Sequence, residues 1–271
     1  MRRALLLICT LAITLGIAIP SLAAGKVAIY TGTVQWISKQ NADAQAQTTV
    51  DLLSAAGVDV TWYSSDGDMD AVADWVSSVT GDGGLDFLIL YGDVPPTIYP
   101  EGNAQPDGSI VETYIETTDG DAVINHADYM FWGLNGRNQE GGLQNIMDIP
   151  GITMWDDNTP MTVTAEGAQI SPTLAGIQNL ESDRPFHLDQ LAGDWFAEII
   201  LAQNAAGTRA DPVIVRDGDR GRLIPVIQTN AGGEPHGAID AELITWMLSQ
   251  TTAVSPRGKA SVTWGALKSE R

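Results

Sequence analysis

The chain has 271 residues, 44% of them hydrophobic and 18% charged, with 34 acidic against 14 basic side chains and a formal net charge of −20. That composition excludes a disordered chain, which is poor in apolar residues, and a nucleic-acid partner, whose phosphates need clustered Lys and Arg. No Lys or Arg stands between Lys39 and Arg137, an interval holding 17 acidic residues. A well-hydrated surface explains this most simply, with a cation-binding face or a saline exterior as alternatives.

Residues 1–24 have the pattern of a cleaved secretory signal. Arg2 and Arg3 precede an apolar run over 4–19, Pro20 breaks it, and Ser21-Leu22-Ala23-Ala24 offers small residues for cleavage. The run falls short of the ~18 apolar residues of a spanning helix. Cleavage is therefore expected, with a secreted or periplasmic location and no stable membrane insertion afterwards. Cys9, the only cysteine, lies inside this segment. Its loss would leave no disulfide, thiolate metal site or cysteine nucleophile. Ile8 stands where a lipoprotein site needs a small residue.

Beyond the signal, residues 26–31 (KVAIYT) read as a strand. Residues 38–56 read as a helix with Val50, Leu52 and Leu53 inward, ended by Gly57. A strand over 58–63 follows, then a helix over 69–79 with Val72, Trp75, Val76 and Val79 at helical spacing. The run LDFLILY over 85–91 suits a strand buried on both faces. Residues 109–117 are expected to be helical with Ile110, Tyr114 and Ile115 inward, and 122–125 opens a further strand.

The Gly- and Asn-rich stretch 133–151 reads as a long loop, and 188–203 as a helix around Leu191, Trp195, Phe196, Ile199 and Ile200. Strands over 212–215 and 222–228 are joined by a turn at 217–221. A last helix spans 238–248, with Ile239, Leu243, Trp246 and Met247 inward, and 251–271 is expected to be a poorly ordered tail. The alternation of strand and helix predicts one α/β domain over 25–250. Its three layers would hold a flavodoxin-like, largely parallel sheet with an antiparallel hairpin near the C-terminus.

The chain lacks G-x-S-x-G, H-E-x-x-H, a phosphate loop and a dinucleotide glycine loop placed after a strand. Asp66-Gly67-Asp68-Met69-Asp70 resembles a calcium loop only briefly, since Ala71 and Ser77 stand where Gly and a bidentate Glu are needed. It reads as a turn with Asp66 or Asp68 capping the next helix.

Ligands of a doubly wound sheet bind beyond the carboxyl ends of the strands. Thr31, Gly32, Gly92, Asp93, His126 and Asp128 are expected at that rim, with Glu234 and His236 approaching from the loop before the last helix. His126, Asp128, Glu234 and His236 are candidates for acid–base work or for holding a divalent metal. Ordinary hydrogen-bonded histidines are the simpler reading. With no fixed ligand spacing, no metal site is assigned, and a divalent ion is the only cofactor considered. Gly92, Asp93, Asn125, Trp132, Asn135, Arg137, Glu140 and Asp156 are the candidate ligand-binding set. Tryptophan faces with nearby amides and carboxylates suit a sugar's apolar face and polar rim. The alternative is a structured loop whose tryptophans pack on the sheet edge.

The strands KVAIYTG, VDVTWY and LDFLILYGD, the segment AVINHADYMFWG, and the late DPVIVRDGDRGRLIPVIQT followed by EPHGAIDAELITWML carry a further signal. Over residues 26–250 the chain resembles the class I glutamine amidotransferase-like superfamily, in particular its ThuA-like branch. The resemblance implies a catalytic cysteine on the turn after a central strand, with a downstream His and acid. The matching turn, Asn125-His126-Ala127-Asp128, has neither cysteine nor serine. The expectation is a secreted non-catalytic domain that binds a small molecule or carbohydrate. Two alternatives stand beside it. One is a metal-assisted hydrolase or isomerase acting on sugars, in line with the sugar-related role that the resemblance implies. The other is an assembly module of an extracytoplasmic complex, which would expose a large apolar patch.

Overall fold

The structure is a computed structural model that describes residues 25–34, 36–101, 108–126, 129–229 and 233–251. The expected signal over 1–24, the tail beyond 251 and Asp128 lie outside the described residues.

In chain order the elements are β1 (Lys26–Tyr30), α1 (Lys39–Ala55), β2 (Asp59–Tyr63), α2 (Met69–Val79), β3 (Phe87–Leu90), α3 (Ile110–Glu116), β4 (Ala122–Asn125) and α4 (Glu140–Ile146). Short elements follow: β5 (Thr159–Pro160), β6 (Thr162–Val163), α5 (Ala165–Ile170), α6 (Pro172–Ala175), β7 (Glu181–Ser182) and β8 (Phe186–His187). Then come β9 (Trp195–Ile200), β10 (Ala202–Gln203), β11 (Arg209–Ala210), β12 (Val213–Asp217) and β13 (Arg222–Pro225). A last helix, α7, covers 236–251.

Seven strands form the main sheet in the order β2-β1-β3-β4-β13-β12-β9. The first five are parallel, and β12 and β9 are added antiparallel at one edge. This is the flavodoxin-like order with an antiparallel extension. Side chains alternate across each buried strand. Val27, Ile29, Phe87, Ile89 and Ile124 pack under α1 and α7, against Ala42, Ala46, Leu53, Ile239 and Leu243. Ala28, Tyr30, Leu88, Leu90 and Val123 face α2, α3 and α4, against Val72, Val76, Val111, Tyr114 and Leu143. Helices thus cover both faces of the sheet, giving the three layers.

Several expectations need correction. The inward stripe of α1 is Ala42, Ala46, Thr49 and Leu53, while Leu52 is 47% exposed. The turn before α2 is capped by Ser65, whose hydroxyl accepts from Gly67 N while Asp68 accepts from Ser65 N; neither Asp66 nor Asp68 caps α2 through its side chain. Residues 133–151 are not a continuous loop, because α4 lies within them. Gly141-Gly142 disguises this helix, each glycine costing about 1 kcal/mol of helix propensity. Burial of Leu143 and Ile146 against the sheet-side core offsets that cost.

The helix expected over 188–203 is a strand. Gly193 sits at φ +66 in the middle of the segment. The run after it is aromatic and β-branched and pairs with β12 as β9. Spacing alone cannot separate a short apolar strand from a helix.

The carboxyl ends of β1 and β3, where the strand order switches, are laced together. Asp93 N donates to the Thr33 carbonyl at 3.1 Å, and Thr33 Oγ1 donates to the Asp93 carbonyl at 3.3 Å. A Cβ on Gly92 would overlap the Thr33 carbonyl oxygen. Gly92→Ala is therefore expected to cost about 2–3 kcal/mol by overpacking, read as a lower denaturant midpoint with an unchanged slope.

Candidate functional site

The sheet brings His126 and His236 together. His126 follows β4 and His236 opens α7, and their ring centroids lie 4.5 Å apart. His126 Nε2 lies 2.8 Å from Asp240 Oδ2, and its Nδ1 lies 3.0 Å from the Val226 carbonyl. Tyr91 stacks on the His126 ring at 4.5 Å and donates its hydroxyl to the same Asp240 oxygen at 3.1 Å. His236 Nε2 lies 3.2 Å from the Ile227 carbonyl.

The hydrogen-bond partners constrain the protons. A carbonyl only accepts, so His126 Nδ1 carries a hydrogen, and so does His236 Nε2. One further proton lies between His126 Nε2 and Asp240, as imidazolium–carboxylate or as imidazole–carboxylic acid. Burial, reinforced by the neighbouring His126, pushes His236 down to about 3, so it is neutral at physiological pH.

A second layer fixes the chain that offers these carbonyls. Asp211 accepts from Ile227 N, Gln228 N and Ser182 Oγ, each at 2.6 Å, and burial raises it to about 6. Gln228 Nε2 in turn donates to the Asn125 carbonyl at 2.6 Å and to its side-chain oxygen at 3.1 Å. Asn125 Nδ2 reaches the Leu90 and Gly92 carbonyls at 3.4 Å. Asn125 is thus a spacer between strand ends.

Access separates this constellation from an ordinary active site. His126 and His236 are 1% exposed, and Asp240 and Tyr91 are fully buried. Glu234 stands apart from it, accepting from Gly233 N. Thr31 is also committed, donating to Asp43 at 2.7 Å and accepting from the Trp62 indole at 3.0 Å. Among the described residues, no group of three or more His, Cys, Asp or Glu is placed to hold a metal ion. An open cavity of about 340 Å³ lies at the opposite end of the sheet, against Leu85, Gly120, Ile199, Arg222 and Trp246.

The middle segment builds a different surface. Tyr129, Trp132 and Trp155 form a triad with centroids 5.2–5.3 Å apart. Trp155 is 40% exposed, and its indole N–H donates to Glu140. The Arg184 guanidinium lies 4.2 Å over the Trp155 ring and pairs with Asp157. Arg209 pairs with Asp156 at 2.9 Å and with Asp189 at 2.7 Å. Asn135 is exposed at φ +59, and Arg137 pairs with Glu101 at 3.6 Å. His187 lies across the strand pair from Arg209, held below its usual range by burial and by that guanidinium.

No family model and no curated protein matches the chain in sequence. Among solved structures it is similar to a protein of Bacteroides uniformis described as a candidate ThuA-like protein. The TM-score is 0.45 with 10% identity, over 83% of this chain and 90% of that one. A likeness of that size is too slight to carry function to this chain.

Sequence reasoning missed Asp240 and Tyr91, the two partners that define the environment of His126. Asp240 had a readable signal, since it lies four residues after His236 and so shares a face with it in a helix. Tyr91 looked like the last apolar residue of a buried strand. Arg184 was invisible, because only the fold carries it from a distant segment to Trp155.

Proposed function

We propose that the protein is a secreted, non-catalytic binding domain of the ThuA-like, glutamine amidotransferase-like kind, and that its ligand is a carbohydrate held at the Trp132–Trp155 surface. The observation that supports this reading is a contrast in access. The histidines of the rim are buried and bonded to protein, whereas Trp155 is 40% exposed beside Glu140, Asp156 and Arg184. Indole surface favours the C–H faces of sugar rings, and carboxylates and guanidinium groups bond their hydroxyls. The turn where the resemblance implies a cysteine nucleophile, Asn125-His126-Ala127-Asp128, has none, and its His126 is already committed to Asp240.

The test is calorimetric titration of the protein against a panel of mono- and oligosaccharides. One sugar is expected to bind, and Trp155→Ala is expected to weaken it about tenfold or more without unfolding the protein, as for a truncated aromatic anchor. Turnover of a sugar that is abolished by Asp240→Asn in a folded protein would replace this reading with the enzymatic one.

A further inference from the structure

The amino edge of the sheet holds a cluster of carboxylates with too little positive charge. Asp86 Oδ1 accepts from Lys26 N at 2.6 Å, and Asp121 Oδ1 accepts from Asp86 N at 2.9 Å, so each carboxylate caps the neighbouring strand. Asp119 accepts from Gly83 N, and Asp82 from Gly84 N and the Lys26 ammonium. Both Asp86 and Asp121 are fully buried, and the second oxygen of each has no partner. Lys26 is the one cation whose side chain is seen bonded to this cluster among the described residues, and its side chain is 43% exposed. The imbalance is visible in the acids themselves, since burial raises Asp86 to about 6 and Asp121 to about 8.

Gly25 immediately precedes Lys26 and is itself buried. A Cβ there would run into the Leu85 carbonyl and the Leu248 side chain, so the position accepts glycine alone. The expected signal ends at Ala24. Hydrolysis of the Ala24–Gly25 peptide bond by a signal peptidase breaks the C–N bond. The water oxygen goes to the Ala24 carboxylate, and the freed Gly25 nitrogen is protonated to an α-ammonium.

We propose that this α-ammonium is the counter-charge of the Asp86–Asp121 cluster, so that removal of the leader completes the amino edge of the fold. The inference rests on the secretion reading. The new charge arises one residue from the backbone nitrogen that already bonds Asp86, in a pocket that excludes any side chain. An opposite charge close to a carboxylate favours the ionised form of both partners. Processing would thus be coupled to stability, with the unprocessed chain folding less firmly than its product.

Two chains test the coupling: one beginning at Gly25, and one extended by Ala23-Ala24, which keeps the ammonium but moves it away. The Gly25 chain is expected to melt about 4 °C higher, on the scale of a 1–2 kcal/mol contact in a chain of this size. Its α-amine should acylate roughly tenfold more slowly at neutral pH, the equivalent of one pKa unit. Asp86→Asn should abolish both differences. Equal melting and equal reactivity, or differences that persist in Asp86→Asn, would overturn the pairing. Should Asp86→Asn fail to fold, amine reactivity of the unsubstituted Gly25 chain decides. Mass spectrometry of the exported protein tests the secretion reading separately. A first residue of Gly25 supports it, and any other first residue overturns the processing step while the coupling result still stands or falls by itself.

Discussion

His126→Ala is expected to lower the stability of the fold by about 3–5 kcal/mol, from an unpaired buried carboxyl and an unpaired carbonyl together with the cavity left by the ring. The ring it removes lies against Tyr91 and His236, and it satisfies Asp240 and the Val226 carbonyl at once. Its loss leaves the Asp240 carboxyl without its principal partner in a region sealed from water, together with a cavity the size of an imidazole. Asp240→Asn should cost much less, about 1 kcal/mol, the worth of one net hydrogen bond. A neutral His126 with its proton on Nδ1 can accept from the new amide, so that pair remains bonded. Chemical denaturation of the two variants reads the difference directly. Equal losses would mean that the carboxyl of Asp240 matters as much as the ring, and would overturn this ranking.

The second large effect is on the pH dependence of stability. Burial raises Asp121 from 3.8 to about 8 in the fold, whereas the unfolded chain releases that proton near the ordinary carboxylate value. Between those limits the folded state holds more protons than the unfolded one. Stability therefore falls as pH rises from about 4 to 8 and levels off above that. Asp86, raised to about 6, adds to the acidic half of this slope. Asp121→Asn should flatten the slope and leave the protein more stable at pH 8 by on the order of 2 kcal/mol, allowing for residual solvation. The asparagine oxygen can still accept from Asp86 N, so the strand cap survives. Melting temperatures from pH 5 to 9, measured on the chain extended by Ala23-Ala24 to keep the Gly25 ammonium out of the balance, provide the test. A wild-type curve that is flat across this range would contradict it.

The first half of the fold was legible because each element announces itself locally. The near-continuous apolar run at β3, the spacing in α2, and Gly57 after α1 at φ +82 each fix one element without reference to the rest. The second half depends on tertiary context. Trp195 to Ile200 fits either periodicity, and only pairing with β12 makes it a strand. The Gly-rich α4 owes its stability to packing that the sequence does not display. The site divides in the same way. His126 and His236 were readable as a pair because topology places strand ends near the start of the last helix. Their burial was not, because access depends on how the β1 and β3 loops interlace. Glu234 was placed with them by chain proximity, yet its carboxylate turns back on its own loop.

We propose that ligand binding belongs to the Trp132–Trp155 surface and that the His126–Asp240 pair is part of the scaffold. The most direct measurement is a sugar titration followed by nuclear magnetic resonance of the tryptophan indole and histidine ring groups. Saturable shifts of the Trp155 and Trp132 indole signals are expected, with the His126 and His236 rings unmoved. Shifts of the two histidine rings with a silent Trp155 would contradict it and return the site to the strand ends.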